Sequence, residues 1–252
     1  MTESSLYNFV LIAWVAAAAL TIPYLLFVAA PYGRHARPGW GPTIDNRLGW
    51  ILMELPSPLL VTALFFVGPH NGGAAAVFLG LWLFHYLHRS LIFPLRIRSG
   101  KKAMPAAIMG SAIFFNLINA SMQGQWLFNL SGGYAAAWLL DWRFLAGAAI
   151  FFVGFAINYH SDGILRNLRR PGESGYRIPQ GGLFRYVTCP NYLGEVIEWC
   201  GWALATWSLA GAAFAFWTIA NLIPRALAHH RWYHKKFSDY PAARKAVIPG
   251  LL

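Results

Sequence analysis

The chain has 252 residues, 57% of them hydrophobic and 12% charged, with 12 Trp, 18 Phe and a mean hydropathy of +0.44. Water-soluble domains carry about a quarter charged residues, so this composition excludes an ordinary soluble domain and marks an integral membrane protein. The formal charge is +11, and the only two cysteines, Cys189 and Cys200, offer neither a disulfide framework nor a zinc spacing.

Apolar runs at residues 9–30, 49–67 and 74–95 each reach or approach the ~20 residues that a spanning helix needs. Further runs follow at 103–128, 145–157, 192–209 and 211–227, the fifth being short unless residues 134–140 contribute to it. The pattern predicts an all-α integral membrane protein with seven transmembrane helices, six and eight being the alternatives. The first run lacks a basic segment before it and a small-residue cleavage site, which predicts a retained helix rather than a signal peptide. Basic residues alternate from loop to loop. Arg34, Arg37 and Arg47 follow the first span, and Arg96, Arg98, Lys101 and Lys102 the third. Arg166, Arg169, Arg170, Arg177 and Arg185 follow the fifth, and Arg231, Lys235, Lys236, Arg244 and Lys245 lie in the tail. Loops two and six have no Lys or Arg, and loop four only Arg143. The positive-inside rule then puts the N-terminus outside and the C-terminus in the cytoplasm. Orientation accounts for the basic excess, so no nucleic-acid partner is expected. No repeat or linker interrupts residues 1–252, which read as a single membrane-embedded domain.

Polar residues enter this background at few places. The Gly/Pro-rich stretch after span one contains Tyr32 and either lines a site or is a solvated loop. Span two carries Glu54, followed by Pro56 and Pro58. A carboxyl group within an apolar run faces a cavity or pairs with an Arg of another helix, and in protonated form it donates a hydrogen bond. The prolines kink the helix and free backbone carbonyls, which suits a cavity wall. In span three Tyr86 and Arg89 share a face, Tyr86 being either an interfacial anchor or part of a site. No histidine has the spacing of a metal site. Asn116, Asn119 and Gln123 in span four are expected to glue helices together by hydrogen bonds.

The longest polar interval runs from Asn158 to Glu198. Asn158, Asp162, Arg166 and Arg169 fall on one face of a helix leaving the membrane. The run RRPGE at 169–173 predicts a helix break, and PQGG at 179–182 a turn where backbone approaches a ligand closely. Asn191, Glu195 and Glu198 share a face at the start of span six, whose N-terminus is expected to offer free N–H groups to a phosphate. Arg225, His229 and Tyr233 repeat every four residues in the last span. Each stripe alone reads equally as ion pairs tying helix ends together; three at one end of a bundle favour a cradle for something anionic and elongated. There is no GxGxxG after a strand and no P-loop, so any nucleotide is held by helices and loops.

These residues lie in segments that resemble the steroid 5-alpha-reductase (3-oxo-5-alpha-steroid 4-dehydrogenase) family. They are ELPS at 54–57, HYLHR at 85–89, NYHSDGILRNLR at 158–169, PGESGYRIPQGGLF at 171–184, NYLGEVIEW at 191–199 and AHHRWY at 228–233. The last hundred residues resemble the family almost continuously and the first half in islands. The resemblance implies a seven-helix membrane reductase, of bacterial type, using NADPH to reduce the C4–C5 double bond of a 3-oxo-Δ4 steroid. It implies Glu54 and Tyr86 as catalytic groups that hydrogen-bond the substrate's carbonyl oxygen while hydride attacks the β-carbon of the enone. It assigns NADPH to Asn158, Asp162, Arg169, Tyr176, Arg177, Asn191, Glu195, Arg225, His229 and Tyr233, with Tyr32 and Arg98 as further candidates. The substrate cavity would come mainly from residues 1–130 and the cofactor cradle from 158–240, in a monomer within the bilayer and without a metal. Met53 departs from the Gln that precedes the catalytic Glu in animal members, a lost polar contact that relaxes or changes substrate preference. Three rival readings are a sterol double-bond reductase of related fold, a membrane methyltransferase using S-adenosylmethionine, and a transporter or receptor. The first acts on substrates without the carbonyl, the second binds a cofactor without phosphates, and the third needs no nucleotide cradle. The membrane would be the inner membrane of a bacterium, or the endoplasmic reticulum of a eukaryote.

Overall fold

The computed structural model describes residues 2–70, 72–97, 103–168, 173 and 175–252, and these are mostly helical. The first apolar run forms α1 (Glu3–Phe27). The second forms α2 (Asn46–Glu54) and α3 (Pro56–Val67), which part at Leu55 because Pro56 has no N–H to return to α2. Asp45 starts α2, its carboxylate accepting from the N–H groups of Arg47 and Leu48. Then α4 (Gly73–Leu87) passes through a π-helical turn, His88–Ile92, into the short α5 (Phe93–Arg96). A second π-helical turn, Trp126–Leu130, ends α6 (Ala106–Gln125). The chain finishes with α7 (Trp142–Asn167), α8 (Pro190–Thr206) and α9 (Leu209–Lys236).

Four segments are long and apolar enough to cross a membrane by length and composition: Glu3–Phe27, Asn46–Val67, Gly73–Arg96 and Trp142–Asn167. Phe9, Ile12, Leu20 and Phe27 of α1 remain exposed, a surface that suits lipid and not water. Two expectations change in detail. The fifth span needs nothing from residues 134–140, because α7 alone has 26 residues and Ala136–Leu140 forms a separate 3-10 turn. A small ladder also joins the helices: β1 (Thr43–Asp45) pairs antiparallel with β2 (Ala103–Pro105), Ile44 opposite Met104. Pro105 pushes the residue before it into extended backbone, which favours a strand there.

By packing, the chain falls into two compact units, residues 1–11 with 30–145 and residues 12–29 with 146–252. In the first, α3 and α6 run side by side in the same direction. A Cβ on Gly124 of α6 would fall 2.6 Å from Leu64 Cδ1, and one on Gly68, just past α3, would fall 2.7 Å from Phe128 O.

In the second unit, α7 and α8 meet backbone to backbone. A Cβ on Gly154 would lie 2.6 Å from Gly194 O, and one on Gly194 would lie 2.7 Å from Gly154 O. Gly147 and Gly201 repeat the arrangement two turns away, at 2.7 and 2.6 Å. Small residues at such seams let membrane helices approach until their backbones touch. Against α8, α9 contributes Phe214, whose ring centroid is 4.2 Å from that of the buried Trp199. The tail returns to the start of α8: Thr188 N donates to Lys245 O (2.8 Å), Cys189 N to Ala246 O (3.0 Å) and Lys245 N to Tyr186 O (2.9 Å).

Gly154→Val is expected to cost about 1–3 kcal/mol through overpacking, read as a lower unfolding midpoint in detergent. Gly163→Ala, whose Cβ would meet only the Arg166 guanidinium at 3.7 Å, should leave that midpoint unchanged or raise it. A second expectation concerns the start of α7. Asp141 accepts from Arg143 N (2.9 Å) and from its Nε and Nη2 (both 2.8 Å). Those bonds hold the Asp141 carboxyl down at about 2. A carboxyl depressed below its unfolded value of about 4 stabilises above that pH and loses the effect as pH falls through its folded value. The midpoint of Asp141→Asn should therefore lie below that of the unsubstituted protein at pH 7, the gap closing as the pH falls toward 2.

Candidate active site

In the first unit the polar residues gather around Glu54. It ends α2 where the prolines break the helix, and its side chain is 13% exposed. Of the two alternatives raised by the sequence, the structure shows the Arg partner. Arg89 Nε lies 3.8 Å from Glu54 Oε1, an ion pair too long for a hydrogen bond. The guanidinium is held by two rings, Trp50 at 4.6 Å and Phe93 at 4.7 Å. Tyr86 precedes Arg89 on the same segment, is 3% exposed and stacks on Trp82 at 4.7 Å. From α6, Asn116 Nδ2 donates to Met53 O at 2.6 Å and to Glu54 Oε2 at 3.2 Å. The expected gluing of helices thus holds at Asn116. It fails at Asn119, where neither side-chain amide atom meets a hydrogen-bonding partner although the residue is buried. A carboxyl tethered by an amide, with a phenol and a guanidinium on the neighbouring segment, is the kind of donor set that can hold an oxygen that gains negative charge.

In the second unit the backbone contact of α7 with α8 lets their polar faces interlock. Asn158 Nδ2 donates to Asn191 O (3.0 Å) and Glu195 Oε2 (3.4 Å), while Asn191 Nδ2 donates to Asp162 Oδ1 (3.1 Å). Tyr192 then links α8 to α9. Arg225 Nε donates to its hydroxyl oxygen at 3.1 Å, and His229 Nε2 lies 3.2 Å from the same oxygen. Arg225 and His229 are each 7% exposed. Tyr233, next on the α9 stripe, stacks instead on Tyr240 of the tail at 5.1 Å. Tyr176 is exposed and sets its ring edge against Trp232, and Arg177 pairs with Glu173 at 3.0 Å near the surface. Tyr32 belongs to the first unit, half-buried just before the 3-10 turn Gly33–His35. Arg98 and Arg169, with the break at 169–172, lie outside the described residues.

One expectation is corrected. The N-terminus of α8 does not present a row of free N–H groups, because Pro190 has none and Tyr192 N and Leu193 N both bond Cys189 O. The turn at 179–182 does form, with φ of +86° at Gly181 and +49° at Gly182, conformations that only glycine adopts cheaply. Its Gln180 Oε1 accepts from Arg244 Nη2 at 2.9 Å, and Arg244 is 3% exposed. Periodicity had marked neither Tyr192 nor Arg244, and it had left Arg89 and Asn116 without a role beside Glu54. An arginine in a tail reads as solvated, and only tertiary packing reveals its burial.

A family model described as 3-oxo-5-alpha-steroid 4-dehydrogenase matches residues 102–252. The chain is 43% identical to the steroid 5-alpha-reductase DET2 of Gossypium hirsutum, the match covering 98% of each chain. It is 45% identical to the 3-oxo-5-alpha-steroid 4-dehydrogenase 1 of Bos taurus over 96% of each. With the Homo sapiens protein of the same name it shares 47% over 87% of this chain and 85% of that one. The first two matches run over nearly the whole chain, and the chain belongs to the 3-oxo-5-alpha-steroid 4-dehydrogenase family of oxidoreductases.

Proposed function

We propose that the protein saturates the C4–C5 double bond of a 3-oxo-Δ4 steroid or a similar enone lipid, with NADPH as reductant. The observation that carries this reading is the Glu54 cluster, a largely buried carboxyl held by Asn116 beside Arg89, on the segment that also bears Tyr86. Reduction of an enone leaves negative charge on its carbonyl oxygen, and Glu54 and Tyr86 would donate hydrogen bonds to it there. Trp82, packed on Tyr86, limits the directions its hydroxyl can take.

The second unit's donor set fits a phosphorylated dinucleotide. Arg225 and His229 are cationic or donor groups for phosphate, and Asp162 and Glu195 are acceptors for ribose hydroxyls or a carboxamide. Asn158, Arg169, Tyr176, Arg177, Asn191 and Tyr233 complete the proposed set, with Tyr32 and Arg98 as further candidates. Bound there, the cofactor supplies the hydride. The proposed topology has seven spans, α6, α8 and α9 joining the four apolar segments, with the N-terminus outside and the C-terminus cytoplasmic. Substrate half and cofactor half then belong to one reductase.

Two measurements test this. Detergent-purified protein should oxidise NADPH when given a 3-oxo-Δ4 steroid and form the saturated ketone. Glu54→Gln should lower kcat by at least ~10-fold and Tyr86→Phe by about 10²-fold, both with an unchanged unfolding midpoint. Undiminished turnover by Glu54→Gln sinks the assignment. Separately, NADPH at 100 times its Kd should stabilise the protein by about 2.7 kcal/mol. S-adenosylmethionine should do nothing, and Arg225→Gln should abolish the NADPH effect.

A further inference from the structure

We propose that Asn116 is the positioning residue that fixes the carboxyl group of Glu54, a role that rests on the reading of Glu54 as the donor to the enone oxygen. One nitrogen carries the argument. Asn116 Nδ2 lies 2.6 Å from Met53 O and 3.2 Å from Glu54 Oε2. A backbone carbonyl can only accept, so the atom facing Met53 O is the amide nitrogen and not the amide oxygen. Both hydrogens of that nitrogen are then committed, one to the backbone and one to the carboxyl. Glu54 Oε2 is held as an acceptor, and the proton through which Glu54 hydrogen-bonds the enone oxygen sits on Oε1.

Asn116 suits this task because it is buried and does not titrate. Its helix is keyed to α3 by the Gly124–Leu64 contact, which sets its height beside Glu54. The break in the helix makes such a tether useful: Pro58 has no N–H for Glu54 O, the bond an unbroken helix would have made at that point. On α2 itself and the elements packed against it, the charged or titratable residues besides Glu54 are Arg47 of α2, Asp45 of β1, His88 and Arg89 of the π-helical turn and Arg96 of α5, with His85 and Tyr86 on the α4 segment that leads into that turn. Neither α3 nor α6 has any, so the bond from Asn116 is a hold on Glu54 that is indifferent to pH.

The test compares Asn116→Leu and the nearly isosteric Asn116→Asp with the unsubstituted enzyme, reading kcat, the NADPH KM and the pH profile of kcat. Asn116→Leu should lower kcat at least ~10-fold while the NADPH KM stays within about 2-fold. Asn116→Asp sets a second carboxyl beside the first, and a close pair holds its last proton more tightly. The alkaline limb of its profile should therefore move up by about one pH unit or more, a change that a merely structural role would not produce. The Asp variant also carries the test alone if the Leu variant does not fold. A pH profile matching that of the unsubstituted enzyme in Asn116→Asp, with Glu54→Gln impaired, overturns the role of Asn116 and leaves the proposed function standing. Full activity in Glu54→Gln overturns both.

Discussion

The second unit depends on one contact, the meeting of α7 and α8 at paired glycines. Hydrocarbon side chains gain little by leaving lipid for one another, so helices in a bilayer are held by close packing and interhelical hydrogen bonds. Gly147 and Gly154 on one helix and Gly194 and Gly201 on the other bring the backbones together. Only at that separation can an asparagine as short as Asn158 reach the backbone of Asn191 across the seam. The polar network follows from the seam, and Tyr192 extends it to Arg225 and His229 on α9.

Glu54 is managed by a different principle. Its α2–α3 segment is interrupted by proline, and the interruption exposes polar groups that must find partners. Asn116 takes up Met53 O and one carboxyl oxygen, and Arg89 stands beside the other. The guanidinium, packed against both Trp50 and Phe93, keeps an ionic neighbour near Glu54 at a distance longer than a hydrogen bond.

Much of this was legible in the residues. The apolar runs located the helices, the two prolines located the break after Glu54, and four-residue spacing located the polar faces of α7 and α8. The limits were equally physical. Hydropathy alone ended the fifth run at residue 157, and the spacing of Asn158, Asp162 and Arg166 carried the helix on, as α7 does to Asn167; what spacing did not show is that this polar face finds partners across the glycine seam. A free helix N-terminus was expected at α8 from the position of Asn191, but the neighbouring Pro190 and the carbonyl of Cys189 remove most of the donors. Spacing along one helix says nothing about a partner on another, so Asn116 and Asn119, three residues apart, looked alike and are not.

The π-helical turn after Tyr86 has a consequence for chain length. Such a turn holds one residue more than the α-helix around it, so everything beyond it is rotated by roughly 100° relative to an uninterrupted helix. That rotation lets Phe93 share the Arg89 guanidinium with Trp50. A sequence shorter by one residue between Tyr86 and Phe93 would cross the membrane equally well by hydropathy and would still turn Phe93 away from the arginine. Deletions within this stretch are therefore invisible to composition and decisive for geometry, so an alignment of such chains must place its gaps here by structure.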